Sequence, residues 1–421
     1  MVASRLLQFV VTIYLTRVLL VEGFGLFNFV QAFLWFGVIL TDFGLSTIGT
    51  RDLARSPRRL RTLSTVILAS RLAVFAVEML LVVAVTAALH VGAELYWLFV
   101  FSFLSLLAYA INTDWIFRGF ERMEYVAAWE ALPRVIWLAG LVLFVHGPQD
   151  LLKVPLLRFA GEIVTTGALA AIAWLRWPQS RPTRAVLHPL NVKILVRQAA
   201  PVGMAALLAQ VYYNFDTILL GILKDAETVG QYSAAYRVVT LLLTGSFLLA
   251  ATYQPILART FATDRAASGR HLRRLSAGAL LLGGMVPVVV ALAASPIVRI
   301  LFGSRFAPAA APLVILMASM PFAYLGMAYG TALVAAGMQR RMMVAAAIGA
   351  AVNVAANLLL IPPLGMIGAA IATVISYAAA WAVLWWYVRS RIGRTELVPL
   401  GAVVETIREV PGMVRRMRGG E

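Results

Sequence analysis

The sequence predicts an all-α polytopic membrane protein, with about twelve transmembrane helices arranged in two six-helix lobes around a central cavity. Three observations lead to this fold class. Of the 421 residues, 61% are hydrophobic and only 13% are charged, and the mean hydropathy is +0.85. Apolar stretches long enough to cross a bilayer recur along the chain. The basic residues separate onto alternate sides of these stretches.

The apolar stretches define the predicted spans. A helix needs about 20 mainly apolar residues to cross the hydrocarbon core of a membrane. Twelve stretches meet this requirement, and the sequence shows no separate cleavable signal peptide before the first. The predicted spans cover about 2–20, 26–50, 62–89, 95–117, 124–146, 152–176, 198–223, 229–258, 274–302, 308–336, 342–361 and 366–388.

Basic residues set the predicted orientation. The loop 51–61 contains five arginines, whereas the next loop, 90–94, contains no lysine or arginine. Because cytoplasmic loops are enriched in lysine and arginine, the even-numbered loops and both termini are predicted to be cytoplasmic. Few basic residues lie near the odd-numbered loops: Lys153, Lys224, Arg299 and Arg305.

Composition also excludes several classes of function. The net charge of +17 is spread over short loops and forms no continuous basic stripe, so nucleic acid is not a predicted partner. The chain has no cysteine and only four scattered histidines, so neither a thiolate nor a zinc site is predicted, and no cofactor is expected. The short external loops leave no room for an acidic catalytic loop, and an enzyme is therefore not predicted.

Internal repetition supports two lobes. Glu22 and Gly25 open the second span at the same spacing as Glu227 and Gly230 at the eighth. The segment GFERMEYVAA at 119–128 has a counterpart in GMQRRMMVAA at 337–346. Because each repeat holds six spans, the lobes are predicted to be related by an axis along the membrane normal. The predicted divisions are an N-terminal lobe at 1–177, a proline-containing cytoplasmic connection at 178–197, a C-terminal lobe at 198–389 and a basic cytoplasmic tail at 390–421.

Several motifs resemble the polysaccharide transporter family, which contains the flippases of lipid-linked oligosaccharides. They are VEGFGLFNFVQAF at 21–33, DFGL at 42–45, GTRD at 49–52 and WIFRGFERM at 115–123. The stretch from Asn357 to Thr373 is similar to the wider superfamily of multidrug, oligosaccharidyl-lipid and polysaccharide exporters. The resemblance implies a flippase of the bacterial cytoplasmic membrane that turns over undecaprenyl-pyrophosphate-linked oligosaccharide by alternating access, for O-antigen, capsule or exopolysaccharide synthesis.

The resemblance also bears on the N-terminus. The element SRLLQF at 4–9 is similar to one that lies well inside the first span of related flippases, yet only three residues precede it. Two interpretations are open. Either translation starts upstream of Met1, which would place Arg5 at mid-span, or Arg5 lies at the cytoplasmic interface.

Ionisable residues inside the predicted spans are the candidate site residues, because a charge at membrane depth requires a partner, a cavity or a route to the interface. Guanidinium groups suit a diphosphate because they donate two parallel hydrogen bonds. Arg158 and Glu162 are four residues apart and could pair as a structural lock, and Arg17 and Asp216 could simply snorkel to the interface. The predicted substrate-binding residues are Arg5, Arg17, Arg71, Arg134, Arg158 and Arg237, and the predicted counter-charges or coupling residues are Asp42, Glu78, Glu162 and Asp216.

Other functions remain open at this point. A multidrug exporter or a peptidoglycan-precursor flippase would share the fold, although a cationic drug would favour a more acidic cavity. A non-transporting scaffold of a glycan-assembly complex would need no charges inside its helices. The predicted partners are the lipid-linked glycan, membrane lipids, and a polysaccharide polymerase with its chain-length machinery. No nucleotide-binding motif is present, so an ion or proton gradient is the expected source of energy.

Overall fold

The computed structural model describes residues 2–392, except for the side chains of residues 2–5, Arg184 and Arg265. The side chain of Arg5 and nearly all of the predicted tail at 390–421 therefore lie outside the described residues. Within the described range the chain forms α-helices and short 3-10 helices, with no β-strand. The α-helices are α1 (Val2–Asp42), α2 (Leu45–Arg55), α3 (Leu60–Ala88), α4 (Ala93–Ala110), α5 (Asp114–Gly119), α6 (Met123–Phe144), α7 (Lys153–Arg176), α8 (Pro189–Leu223), α9 (Ala226–Thr263), α10 (Arg265–Leu292), α11 (Ala294–Phe302), α12 (Ala310–Met317), α13 (Met320–Ala335), α14 (Gln339–Leu364) and α15 (Met366–Arg391).

The number of spans agrees with the sequence prediction. Ten helical stretches of the described chain are long and apolar enough to cross a membrane, and the bent pair Ser304–Met317 and Met320–Ala335 makes eleven. The first stretch, Leu6–Arg55, is 50 residues long, more than twice what one crossing requires. It is interrupted at Leu20, whose φ of 59° and ψ of −169° are not helical. Dividing it there gives about twelve spans, and the predicted all-α polytopic fold class is confirmed.

Some predicted spans are not continuous helices. The span predicted at 26–50 is broken at Phe43 and Gly44, which have φ values of 40° and 82°. A Cβ at Gly44 would lie 2.9 Å from the Ala199 carbonyl oxygen, so close packing against α8 favours glycine at this break. The span predicted at 95–117 is likewise interrupted after α4, and the span predicted at 308–336 bends by 45° between α12 and α13.

The span predicted at 274–302 also differs from the structure. It extends back to the start of α10 at Arg265 and stops at Leu292, so that α11 is a separate helix of nine residues. The N-terminus of α10 is capped by Asp264, whose carboxylate accepts hydrogen bonds from the backbone N–H groups of Ala266 and Ala267 at 2.8 and 3.0 Å. These hydrogen bonds hold the pKa of Asp264 below its usual value, as is typical of an N-cap carboxylate.

The described chain forms two compact units. The first contains the residues up to Gly221 together with Asp225–Gly230, and the second contains Ile222–Lys224 and the described residues from Gln231 onward. The sequence-based division instead starts the C-terminal lobe at residue 198. Helix α8 belongs to the first unit because glycines of α8 pack against aromatic side chains of that unit. A Cβ at Gly203 would lie 2.6 Å from the Phe43 ring, and one at Gly221 would lie 2.1 Å from the Phe29 ring. The predicted lobe boundaries stay a prediction.

Candidate substrate-binding site

Arg71 is the most deeply buried of the candidate arginines whose side chains are described, with 2% of its surface exposed. Its guanidinium group donates to the Asp42 carboxylate, to the Ser46 hydroxyl and, at 2.8 Å, to the carbonyl oxygen of Asn112. Asp42 also accepts from the backbone N–H of Ser46 at 3.1 Å. These four residues are called the Arg71 cluster below.

The Arg71 cluster lies where two spans are interrupted. Asp42 and Ser46 flank the break between α1 and α2, and Asn112 follows the end of α4. Helix ends leave carbonyl and N–H groups without intrahelical partners, and inside a bilayer such groups must be satisfied by the protein. Arg71 satisfies the Asn112 carbonyl and compensates the charge of Asp42. The cluster therefore stabilises both helix breaks at once.

Glu78 has a different partner from Arg71, although both are on α3. Its carboxylate is 7% exposed and accepts a hydrogen bond of 2.7 Å from the hydroxyl of Thr41. Glu78 lies seven residues after Arg71 and so shares its face of α3, but the acidic partner of Arg71 is Asp42. Spacing in the sequence does not reveal this partner, because Asp42 reaches Arg71 only through the turn at Phe43 and Gly44.

A second cluster forms around Arg158 in α7. Its Nε donates to Glu162 Oε1 at 2.9 Å, so the pair that the sequence spacing allowed does form. A second nitrogen, Nη1, donates to the side-chain oxygen of Gln31 in α1. The guanidinium carbon lies 5.9 Å from the ring centroid of Trp35 and 5.8 Å from that of Trp137, within the range of cation–π attraction. These five residues are called the Arg158 cluster.

Trp35 is the exposed member of the Arg158 cluster. Arg158 and Glu162 have side-chain exposures of 11% and 16%, and Gln31 is 5% exposed, whereas Trp35 is 39% exposed. A guanidinium group can bind phosphate oxygens, and an exposed aromatic face beside it can pack on an apolar or weakly polar ring. The cluster therefore combines in one place the groups that suit a ligand with both an anionic and a ring-shaped part.

The remaining predicted site residues with described side chains lie at other positions. Arg134, one residue after Pro133 in α6, donates to the backbone carbonyl of Glu130. Arg17 is exposed on α1. Asp216 in α8 is 2% exposed and accepts from the backbone N–H of Thr217 at 2.7 Å. Arg237 is half-buried on α9, in the second unit. Ligand contact by any of the predicted residues stays a prediction.

Sequence reasoning did not identify the neutral partners Gln31, Ser46 and Asn112. Only Asn112 has a local signal. Its side-chain oxygen accepts from the backbone N–H of Asp114 at 2.8 Å, an Asx turn that starts α5. The sequence Asn-Thr-Asp near the end of the predicted span 95–117 is therefore an indication of a helix break. Within the described residues, no three His, Asp or Glu side chains come together in a way that could hold a metal ion.

Comparison with known proteins places this architecture in a family. The family model described as "Polysaccharide biosynthesis protein" matches residues 1–261, more than half of the chain. The protein belongs to this family. With ten or eleven helices able to cross a membrane in its described part, it is a multi-pass membrane protein.

Two curated relatives have informative names. A putative O-antigen transporter of Escherichia coli K12 is 22% identical over 316 residues, which cover 73% of this chain and 74% of that protein. A probable low-salt glycan biosynthesis flippase, Agl15 of Haloferax volcanii, is 23% identical over 381 residues, which cover 88% of this chain and 78% of the relative.

Solved structures share the fold at lower identity. The lipid II flippase MurJ in an inward closed conformation matches with a TM-score of 0.74 and 14% identity, covering 99% of this chain and 91% of that one. An inward-facing multidrug resistance transporter of the MATE family matches with a TM-score of 0.75 and 14% identity, covering 92% and 94% of the two chains. At this identity the likeness concerns the fold alone.

Proposed function

We propose that the protein moves an undecaprenyl-pyrophosphate-linked oligosaccharide from the inner to the outer leaflet of the bacterial cytoplasmic membrane by alternating access. The product would supply O-antigen, capsule or exopolysaccharide synthesis. The observation that carries this proposal is the Arg158 cluster, which places a guanidinium group beside the exposed ring of Trp35 inside membrane-spanning helices. The names of the two curated relatives support it as well.

The chemistry of the candidate residues favours this substrate over a drug cation. A cationic drug would be attracted by an excess of acidic groups at membrane depth and repelled by arginines. Asp42 is already matched to Arg71 and Glu162 to Arg158, so these two carboxylates are not available to attract a cation. A peptidoglycan precursor is also a polyprenyl diphosphate with sugars, and the two substrates are distinguished by which lipid-linked pool accumulates when the protein is depleted.

The proposal extends to partners and energy. A polysaccharide polymerase and its chain-length machinery would use the translocated substrate, and membrane lipids surround the protein. An ion or proton gradient would drive turnover, with Glu78 and Asp216 as candidate coupling residues because both carboxylates are buried at membrane depth.

Substitutions of the Arg158 cluster test the substrate site. We expect Arg158→Ala to lower translocation of the lipid-linked glycan by about 10- to 100-fold, because a charge-assisted hydrogen bond contributes about 1.5 to 3 kcal/mol. Arg158→Lys should restore only part of the rate, since an ammonium group lacks the planar pair of donors. Translocation is measured in proteoliposomes by accessibility of the glycan on the outer face, and normalised to folded protein.

A charge-free pair separates substrate binding from folding. The double variant Arg158→Met with Glu162→Gln removes both charges, so that no buried ion is left without a partner. If Arg158 contacts substrate, this variant should fold at normal levels and remain inactive. Recovery of normal translocation in the double variant would show that Arg158 serves only the structure.

Orientation is tested separately. Lys224, at the end of α8, donates to the carbonyl oxygen of Pro362 at 2.8 Å, so these two positions lie on the same side of the membrane. Both are predicted to be external, because the basic loops lie on the other side. Reporter fusions after Lys224 and Pro363 should report the external side, and fusions after Arg61 and Arg265 should report the cytoplasm. A cytoplasmic signal at Lys224 would contradict the predicted orientation and the cytoplasmic placement of both termini.

A further inference from the structure

The first unit contains a cavity that no residue of the Arg158 cluster lines. Its volume is about 210 Å³, and it lies between α3, α7 and the connection from α4 to α5. Ile67, Leu68 and Ala170 line its walls, and Trp174 lies along the same wall, with 38% of its surface exposed. The walls of the cavity are therefore apolar.

Two residues of the Arg71 cluster line one end of the cavity. Arg71 and Asn112 both line it. The charge of Arg71 is compensated by Asp42, and its Nη1 is committed to the Asn112 carbonyl. Most of the other residues that line the cavity are apolar, so the body of the cavity suits an uncharged, apolar occupant.

The other end of the cavity lies under a basic loop. Ser180 and Pro182 line the cavity here. The loop is fixed to the start of α3 because the backbone N–H of Thr183 donates to the Thr65 hydroxyl at 3.0 Å. The exposed arginines Arg61, Arg176 and Arg181 are at or next to these segments in the chain. Positive charge thus lies close in sequence to the residues that line this end of the cavity, as expected where a protein holds the phosphate of an anionic lipid.

We infer that this cavity binds part of one acyl chain of an anionic phospholipid, with the lipid phosphate held by Arg61, Arg176 and Arg181. The size of the cavity agrees with this occupant. An apolar cavity of about 150 Å³ accommodates one benzene ring, whereas sites for drug-sized ligands start at about 300 Å³. A segment of a single hydrocarbon chain fits between these limits, and an oligosaccharide diphosphate does not. The inference is independent of the proposed substrate.

Gly167 provides a direct test. It lines the cavity, and a Cβ at this position would meet no atom within 4 Å. Gly167→Leu should therefore occupy the cavity without displacing the backbone. Gly284→Leu, in α10 of the second unit, is a matched control because its Cβ would also meet open space. Thermal unfolding of both variants in detergent confirms that each remains folded.

The probe is phosphatidylglycerol with a photoreactive diazirine on one acyl chain, incorporated into nanodiscs with the full-length protein. In the parent protein the photoproducts should map to residues 67–72 and 167–174. In Gly167→Leu the yield of these photoproducts should fall about tenfold or more, since each methylene kept out of an apolar site weakens binding about fourfold. The triple variant Arg61→Gln, Arg176→Gln, Arg181→Gln should lower labelling by this probe but not by the matching phosphatidylcholine probe.

Three outcomes would overturn the inference. Equal labelling of the parent and Gly167→Leu would show that the probe binds elsewhere. Equal labelling of the parent protein by the anionic and the neutral probe would show that the three arginines do not hold the lipid phosphate. Displacement of the phosphatidylglycerol probe by an equimolar polyprenyl phosphate would assign the cavity to a polyprenyl chain instead of a phospholipid.

Discussion

Replacing Arg71 with alanine is expected to destabilise the first unit strongly, not merely to inactivate a stable transporter. The change leaves Asp42 without its ion partner and the Asn112 carbonyl without its donor, inside the membrane-spanning part of the chain. Breaking a fully buried ion pair from one side costs about 3 to 5 kcal/mol. Because the Asp42 side chain is 34% exposed, the cost here lies towards the lower end of that range, which is still a large part of a total stability of about 5 to 15 kcal/mol. The yield of monodisperse protein after detergent extraction and its unfolding temperature measure the effect.

Two further variants make this prediction specific. Arg55→Ala removes an exposed arginine at the end of α2 and should change the free energy of unfolding by no more than about 0.5 kcal/mol. Arg71→Met combined with Asp42→Asn removes both charges and should recover much of the stability lost in Arg71→Ala. A well-folded Arg71→Ala protein that no longer translocates glycan would show instead that Arg71 acts on substrate, as the sequence alone had predicted.

The contrast between the two arginine clusters shows what the sequence can predict. Arg158 and Glu162 are one helical turn apart, and a pair at this spacing is visible in any continuous helix. Arg71 and Asp42 are on different spans, and their contact depends on the non-helical residues Phe43 and Gly44. Hydropathy reports whether a stretch can cross the membrane, but not whether the helix is interrupted inside it. The spans and the local pair were therefore predictable, and the Arg71 cluster was not.

The repeated glycines illustrate a second limit. The sequence marks Gly25 and Gly230 as equivalent positions in two repeats, which predicts similar roles for them. The structure brings the two segments together within the first unit: a Cβ at Gly25 would lie 2.9 Å from the backbone nitrogen of Gly230. A pattern of repeats shows that two positions are equivalent but does not show that they touch, because touching depends on how the helices pack.

Replacing Gly25 with alanine is expected to disrupt the packing of α1 against the start of α9. The new methyl group would lie 1.7 Å from the carbonyl oxygen of Ala226, much closer than two nonbonded atoms can approach. Neither atom can rotate away, because the oxygen is part of the backbone and the methyl group is bonded directly to it. Overpacking in a dense interior costs about 1 to 3 kcal/mol and more where only backbone can move, so the unfolding temperature and the translocation rate of Gly25→Ala should both fall.

Gly230→Ala should behave alike, since its methyl would lie 2.2 Å from the Val21 carbonyl oxygen. Gly284→Ala, whose methyl meets open space in α10, should be neutral or slightly stabilising because alanine is the better helix former. If Gly25→Ala matched Gly284→Ala in both measurements, the close approach of these two helices would not be a feature of the working protein.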